Sequence, residues 1–110
     1  MNDAAAAAGI RGFDLELPHG IRLACRAAAA SARPGAPRVL LLHGFPEAAF
    51  VWDEVLQRLA PDVAAVAPNL RGFAGSSAPA ELAAYRAKPL VADLVAVIGT
   101  LDIVLGEIDR

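Results

Sequence analysis

Residues 39–46 read VLLLHGFP, an uninterrupted apolar run that passes directly into a turn. Short continuous apolar runs are typical of a strand covered on both faces, as in a parallel sheet. Gly44 gives the backbone conformational freedom, while Pro46 has a fixed φ and no N–H, so the strand is expected to end here. The run therefore predicts a buried strand over residues 39–42 and a stiff turn over residues 43–46.

The sequence after this turn predicts a helix and a second buried strand. Apolar side chains recur at spacings of three and four through residues 48–60, and those on one face are Trp52, Val55, Leu56 and Leu59. Pro61-Asp62 ends this helix, and the apolar residues 63–67 follow as a strand that Pro68 stops. A strand, a helix and a strand in this order predict a parallel crossover and hence an α/β fold.

Further elements flank this unit on both sides. Residues 13–17 and 21–26 alternate apolar and polar side chains around the turn Pro18-His19-Gly20, which predicts a β-hairpin. A Gly/Ser loop over residues 71–79 precedes a helix over residues 89–101, whose main apolar stripe is Leu90, Leu94, Val97 and Leu101. Since 110 residues suffice for one small core, we expect a flexible tail over residues 1–10 and one domain over residues 11–110.

Composition excludes several classes of partner. The formal net charge is −2 and the charges are scattered, so the sequence has no basic stripe for nucleic acid. No uncharged apolar run reaches the ~20 residues that a membrane span needs, because Asp93, Asp102 and Glu107 interrupt residues 90–108. Cys25 is the single cysteine and is interpreted as a small apolar residue in a strand. These features favour a cytoplasmic protein without membrane or nucleic-acid partners.

Two segments carry a resemblance to a known family. Residues 40–47 (LLLHGFPE) and residues 67–77 (APNLRGFAGSS), in this order and at this spacing, resemble the α/β-hydrolase superfamily, and within it the epoxide hydrolase and haloacetate dehalogenase branch. The resemblance covers about residues 13–101. It implies the N-terminal part of an α/β-hydrolase fold, a β-hairpin followed by β-α-β-α with a mostly parallel sheet. Asn69 departs from the Asp that the family usually carries there, which would loosen any ion pair of that Asp.

The resemblance also implies roles for residues of the turn. In the family, the residue after His-Gly supplies a backbone N–H to an oxyanion hole, which maps to Phe45, whose side chain would line the pocket. Such a donor stabilises the negative charge that develops on a substrate oxygen. Gly44 and Pro46 would shape the turn beside the substrate. The alternative is a plain connection between a strand and a helix.

Two further residues are candidates for a place beside the substrate, each with an alternative interpretation. His43 belongs to the turn and is expected to bond to nearby backbone, because the family's catalytic His comes later in the chain. Trp52 would line the pocket, but its place on an apolar helix face favours a core role. His19 is expected to be solvated in the hairpin turn. No plausible metal-ligand set is present, and no organic cofactor is implied.

The loop over residues 71–79 contains serines that are poor candidates for a nucleophile. A nucleophile elbow needs a strand, a G-x-S-x-G pattern or its Asp counterpart, and a helix, and residues 75–79 (GSSAP) lack the final Gly and the strand. Ser76 is therefore interpreted as a residue that orders the loop, and Ser77 is given no catalytic role. Arg71 could pair with a carboxylate and order the loop as well. Glu47 would cap the next helix or face solvent.

The resemblance implies hydrolysis of a small molecule through a covalent ester on an Asp. Residues 102–110 do not resemble the strand and elbow that would carry this Asp, so the chain is expected to end before the nucleophile, the acid and the catalytic His. Three interpretations remain open. The chain is a hydrolase fragment that is inactive alone, a non-catalytic truncated product, or an interaction module that retains half of the fold. An exposed sheet edge would allow self-association.

Overall fold

The elements follow the predicted order. The computed structural model describes residues 9–45 and 47–108, with the backbone alone for residues 101–108. Four strands and two α-helices are present in this part of the chain: β1 (Ile10–Glu16), β2 (Arg22–Ala28), β3 (Arg38–Leu40), α1 (Asp53–Leu59), β4 (Ala64–Pro68) and α2 (Ala87–Ile108). Short 3₁₀ turns precede the helices, at Ala49–Trp52 and Leu82–Tyr85.

The four strands form one mixed sheet in the order β1-β2-β4-β3. The hairpin is confirmed, since β1 and β2 pair antiparallel with Phe13 opposite Cys25. β3 and β4 pair parallel as the crossover requires, whereas β2 pairs antiparallel with β4. The fold class is thus confirmed, but the expectation of a mostly parallel sheet is wrong for the described strands. The hairpin docks directly on β4, so only one of the three strand pairs is parallel.

β1 begins at Ile10, within the segment expected as a tail. The Ile10 side chain is fully buried and joins a cluster with Ala49 and Leu56. Burial of one such side chain is worth about 1.5–3 kcal/mol, which is enough to hold the start of a strand. Residues 1–8, the rest of the expected tail, lie outside the described residues.

The sheet is covered on both faces, because successive side chains of a strand point to opposite sides. Leu23 and Cys25 of β2 belong to one cluster with Val97 of α2. Ala65 and Ala67 of β4 belong to the other cluster, which includes Leu56 of α1 and is completed by Ile10 and Ala49. The two helices therefore lie on opposite faces of the sheet. The carboxyl ends of β3 and β4 meet at one edge, where the turn after β3 is placed.

The helix predicted over residues 48–60 begins as a 3₁₀ turn and becomes α-helical at Asp53. Two side chains from other parts of the chain fix this start. Asn69 Oδ1 accepts a hydrogen bond from the Ala49 N–H (2.7 Å), and Arg26 makes a two-pronged ion pair with Asp53 at 2.6 and 2.7 Å. A carboxylate in the first turn also suits the positive end of the helix dipole.

The second helix is longer than predicted and faces the sheet differently. It spans Ala87–Ile108, against a prediction of residues 89–101. Val97 of the predicted stripe is fully buried, but so is Asp93, with 2% exposure, which the sequence analysis treated only as an interruption of an apolar run. The side chain of Leu101 lies outside the described residues. Three apolar residues of the same helix are more than half exposed: Val91, Val95 and Ile98.

Candidate functional site

The predicted turn residues lie together at the carboxyl end of β3. The Leu41 N–H still donates to Val66 O of β4 (2.9 Å), so pairing with the sheet continues one residue past the strand. His43, Gly44 and Phe45 follow as the turn. Pro46 lies outside the described residues. The position agrees with the rule that open α/β sheets bind ligands beyond the carboxyl ends of their strands.

Phe45 presents an unpaired N–H at this edge of the sheet. Among residues 9–45 and 47–108, the Phe45 N–H donates to no acceptor. The Phe45 side chain is 87% exposed. It makes a T-shaped contact with the Phe73 ring, with 6.2 Å between the ring centroids. A backbone donor without an internal partner is what an oxyanion hole requires.

His43 is buried and is bonded to backbone through both ring nitrogens. Its Nδ1 lies 2.9 Å from Gly44 O, and its Nε2 lies 3.1 Å from the N–H of Leu70, just beyond β4. The ring also meets Phe73 edge-on, with centroids 4.8 Å apart. The expectation that His43 is a backbone-bonded residue of the turn agrees with these contacts. Neither ring nitrogen is left free to bind a substrate.

Gly44 and Glu47 close the turn upon each other. The Gly44 N–H donates to Glu47 Oε1 (2.8 Å), and the Glu47 N–H donates to Gly44 O (2.9 Å). The turn does not need glycine for a left-handed backbone, because the φ of Gly44 is not positive. A Cβ there would instead stand 3.2 Å from Glu47 Oε1. Glu47 is exposed, as the solvent-facing alternative expects, and its carboxylate also caps the turn.

Trp52 packs against the apolar core. Its ring lies against the cluster of Ile10, Ala49 and Leu56, and its indole N–H is buried without an acceptor among the described residues. These contacts are those of the core role that the helix face predicted. They give no support to Trp52 as a residue of the substrate pocket.

The loop after β4 is ordered by its serines. Ser76 Oγ donates to Asn69 O (2.5 Å) and accepts from the Ala24 N–H (3.0 Å), while Ser77 Oγ accepts from the Arg22 N–H (2.9 Å). Both hydroxyls are thus committed to backbone, as the loop-ordering interpretation of Ser76 requires. No described histidine contacts either serine, so neither has an activating base.

Asn69 does more than depart from the family pattern. Its Oδ1 accepts from Ala49, and its Nδ2 donates to Ala24 O of β2 (3.1 Å). A carboxylate could accept the first of these bonds but could not donate the second. The residue is therefore a buried joint between β2, β4 and the start of the helix, a role that the sequence analysis missed.

A buried charge cluster joins the loop, the second helix and the hairpin. Arg71 grips Asp93 with two hydrogen bonds of 2.6 and 2.7 Å and also donates to Ala84 O (3.0 Å). The expectation that Arg71 pairs with a carboxylate and orders the loop is confirmed. His19 is exposed, as expected, and its Nε2 also lies 2.8 Å from Asp93 Oδ1, a contact that the sequence did not predict. The hairpin turn brings His19 over the helix, 74 positions away in sequence.

Opposing effects act on the pKa of Asp93 in this cluster. Burial by itself would raise the pKa of Asp93, but the hydrogen bonds from Arg71 and His19 outweigh it and hold that pKa below its ordinary range. The pKa of Arg71 is raised by its hydrogen bond to Asp93. Asp93 is thus an ionised carboxylate in the core, with both oxygens satisfied. The sequence signal that could have revealed it is an acid placed one residue before Leu94 of the predicted apolar stripe.

Two cavities lie away from the turn. One, of about 130 Å³, opens where β2 ends and where β3 and β4 begin, and its lining includes Ala28, Arg38 and Ala64. The other crosses the hairpin near Asp14 and Arg26. Neither is lined by Phe45 or the other turn residues.

The part of the chain whose side chains the structure describes, residues 9–45 and 47–100, has no group of three or more His, Cys, Asp or Glu side chains arranged to hold a metal ion. It also contains no helix with the length and hydropathy needed to cross a bilayer. The burial of Cys25 raises the pKa of its thiol to about 12, so this cysteine is not a nucleophile at neutral pH.

Comparison with known proteins gives a consistent family. Residues 37–104 match the family model of the alpha/beta hydrolase fold. The chain is 47% identical over 75 residues to epoxide hydrolase A of Mycobacterium tuberculosis, covering 67% of this chain and 22% of that protein. It is 38% identical over 72 residues to epoxide hydrolase 4 of Mus musculus, covering 66% of this chain and 20% of that protein.

Solved structures show the same likeness. An epoxide hydrolase from Vigna radiata superposes with a TM-score of 0.75 at 34% identity, over 84% of this chain and 28% of that one. An epoxide hydrolase from an endophytic Streptomyces superposes with a TM-score of 0.73 at 35% identity, over 84% of this chain and 27% of that one. The chain spans about a fifth of the length of the curated relatives that it matches.

Proposed function

Because this chain belongs to the α/β-hydrolase fold family, in its epoxide hydrolase-like branch, we propose that it forms the oxyanion-hole part of a hydrolase that acts on small molecules. The observation that carries the proposal is the unpaired Phe45 N–H at the carboxyl end of β3. The chain provides this donor, and it does not turn over substrate by itself. A cytoplasmic location and the absence of a cofactor belong to the same proposal.

The turn supports this role by its internal bonding. The Gly44 N–H is already paired with Glu47, and the Leu70 N–H is paired with His43, whereas the Phe45 N–H stays available. Gly44 and Pro46 shape the main chain around it. Trp52 packs in the core and is not assigned to the substrate.

The proposed reaction proceeds in two steps through an ester. An Asp carboxylate attacks an epoxide carbon, the C–O bond breaks, and the released oxygen is protonated. A water molecule activated by a base then attacks the ester carbonyl carbon, which gives the diol and regenerates the carboxylate. The tetrahedral intermediate of this second step carries negative charge on the carbonyl oxygen of the ester, and the Phe45 N–H would stabilise it. None of the 110 residues is assigned as the nucleophile, the acid or the base.

The direct test is an assay of the purified 110-residue chain with an epoxide, a haloacetate and a p-nitrophenyl ester. Circular dichroism and gel filtration on the same sample report whether the chain is folded. We expect no turnover above the uncatalysed rate. Turnover that survives repurification would show that the chain holds a complete catalytic set, and would return attention to Ser76, Ser77 and His43.

A chimera tests the Phe45 donor itself. The matched 75-residue segment of the Mycobacterium tuberculosis enzyme would be replaced by the equivalent segment of this chain. Phe45→Pro removes the N–H, and Phe45→Ala keeps it while it removes the ring. Loss of one oxyanion donor costs about 100–1,000-fold in kcat, so we expect that loss in the Pro variant and a far smaller change in the Ala variant. A folded Pro variant with unchanged kcat would overturn the proposal.

A second candidate function is an interaction module, favoured by exposed apolar side chains along the β3 edge. β3 is an end strand of the sheet, and Val39 and Leu42 are 39% and 40% exposed. Unpaired strand edges recruit other strands. Self-association through this edge would raise the apparent mass in sedimentation, and Val39→Lys would lower it, whereas Val91→Lys on the second helix serves as the control. A monomer at all concentrations would dismiss this candidate.

A further inference from the structure

We propose that His43 is a positioning residue for the Phe45 N–H. As the neutral ring with its proton on Nδ1, it fixes the plane of the peptide that joins Gly44 and Phe45, and thereby the direction in which the N–H points. This inference deepens the proposed oxyanion role of Phe45 and rests on it.

The partners of His43 determine which ring nitrogen carries the proton. Gly44 O, which lies 2.9 Å from Nδ1, can only accept a hydrogen bond, so Nδ1 must donate. The Leu70 N–H, which lies 3.1 Å from Nε2, can only donate, so Nε2 must accept. One tautomer satisfies both contacts, and it is the neutral ring protonated on Nδ1. In a ring protonated on Nε2, the Nε2–H would point at the Leu70 N–H, and two donors would face each other without an acceptor.

The bond from His43 acts directly on the peptide that carries the candidate donor. Gly44 C=O and Phe45 N–H belong to one planar peptide group, which is trans here, so the two groups point in opposite directions. Gly44 O accepts from two sides, from His43 Nδ1 and from the Glu47 N–H, each at 2.9 Å. Two donors on one carbonyl fix the orientation of its plane. The Phe45 N–H is therefore aimed away from the interior of the turn, where it has no partner among the described residues.

His43 is in turn fixed by the neighbouring strand. The ring is 6% exposed, and Phe73 meets it edge-on at 4.8 Å. Leu70 follows Asn69, whose own N–H is bonded to Ala24 O of β2 (2.8 Å). The direction of the Phe45 N–H is thus set by the end of β4, 25 residues further along the chain, and not only by the turn that contains it.

The first experiment measures the wild-type chain in solution. Long-range ¹H–¹⁵N correlation of the ¹⁵N-labelled 110-residue chain separates protonated from unprotonated ring nitrogens. We expect Nδ1 of His43 to be protonated and Nε2 to be unprotonated. We also expect the residual dipolar coupling of the Phe45 N–H to fit the same alignment tensor as the strands. Protonation on Nε2 alone, or a Phe45 coupling averaged toward zero, would overturn the proposal.

Two variants separate the two bonds of His43. In His43→Asn the side-chain amide nitrogen is attached to Cγ, as Nδ1 is, so it can still donate to Gly44 O. In His43→Gln the polar atoms lie one bond further out, near the place of Nε2, so an acceptor for the Leu70 N–H remains instead. We expect the Phe45 coupling to be kept in the Asn variant and lost in the Gln variant. Equal couplings in the two folded variants would show that the bond to Gly44 O does not aim the N–H.

His19→Asn is the matched control, since it alters the other histidine of the chain. It should leave the Phe45 coupling unchanged, and a loss as large as that of His43→Gln would contradict a specific role for His43. If neither His43 variant folds, the tautomer and the Phe45 coupling measured on the wild-type chain still test the proposal. A failure of the proposed hydrolase function would appear in the chimera assay and would leave these couplings as they are, so the two failures are distinguishable.

Discussion

The two helices attach to opposite faces of the same sheet by different chemistry. α1 has seven residues, and it packs through Leu56, which is 1% exposed, among apolar neighbours from β1 and β4. α2 has 22 residues, yet it buries Val97 and Asp93, while Val91, Val95 and Ile98 on the same helix stay exposed. The longer helix thus depends on a buried charged contact, whereas the shorter one combines apolar area with the half-buried ion pair between Arg26 and Asp53.

The difference shows which contacts fix the position of each helix on its face of the sheet. The apolar burial of Leu56 would by itself tolerate small shifts of α1, because it is not directional. The contact between Asp93 and Arg71 demands two aligned hydrogen bonds, and a buried ion pair that loses a partner is strongly unfavourable. The register of α2 on the sheet is therefore set by one carboxylate, and the loop that follows β4 is held by the same group.

The largest expected effect is that of Asp93→Asn. The change leaves the Arg71 guanidinium, which is 6% exposed, without its counter-charge, and such losses cost about 3–5 kcal/mol. Urea unfolding followed by circular dichroism gives the free energy of unfolding. Glu54→Gln is the control, because Glu54 pairs with Arg58 at the surface and such pairs contribute about 0.2–1 kcal/mol. Equal losses for Asp93→Asn and Glu54→Gln would show that the buried ion pair contributes no more than a surface pair.

The same carboxylate predicts a dependence of stability on pH. The pKa of Asp93 is lowered in the folded chain, against about 4 in an unfolded one, so the unfolded state binds the proton more tightly. The contribution of Asp93 is therefore complete above about pH 4 and is lost as the pH falls through the lowered pKa. Unfolding free energies from pH 7 to the acid range should fall more steeply in wild type than in Asp93→Asn. If the free energies of unfolding of wild type and Asp93→Asn fell in parallel with pH, Asp93 would not be a source of the acid sensitivity.

On the other face, Leu56→Ala should destabilise the chain by about 2–5 kcal/mol. The substitution removes buried apolar atoms and leaves a cavity between α1 and the sheet. Leu82→Ala is the matched control, because Leu82 is 90% exposed and surface changes stay within about 0.5 kcal/mol. Unlike the effect of Asp93→Asn, the loss should not depend on pH in the acid range. A pH-dependent loss would mean that the contribution of Leu56 is coupled to a charged contact.

The smallest expected effect is on the exposed side of α2. Val95 is 63% exposed, so Val95→Gln should change the free energy of unfolding by no more than about 0.5 kcal/mol. Val97→Gln, two residues along, should be far more costly, because it places an amide in the apolar cluster. Thermal unfolding of both variants gives the comparison. A large loss at Val95 would show that this side of the helix is covered in solution.

Elements and their order could be predicted because their signals are local. The alternation over residues 13–17 and 21–26 and the apolar run at Val39 were sufficient to place the hairpin and the crossover. Within the site, the bonding of His43 to the backbone and the ordering role of Ser76 were also foreseen. The helix start at Ala49 could not be located to the residue, because Asn69 caps it from 20 positions away.

The sequence alone determined the α/β class, the position of the turn after β3 and the resemblance that points to Phe45, since these depend on neighbours within about ten residues. Only the tertiary structure decided that Asp93 joins Arg71 to His19, and that Leu70 holds His43. Such contacts join polar atoms 22 to 74 residues apart. The physical reason is that a polar side chain in an apolar pattern looks like an interruption until the fold supplies its partner.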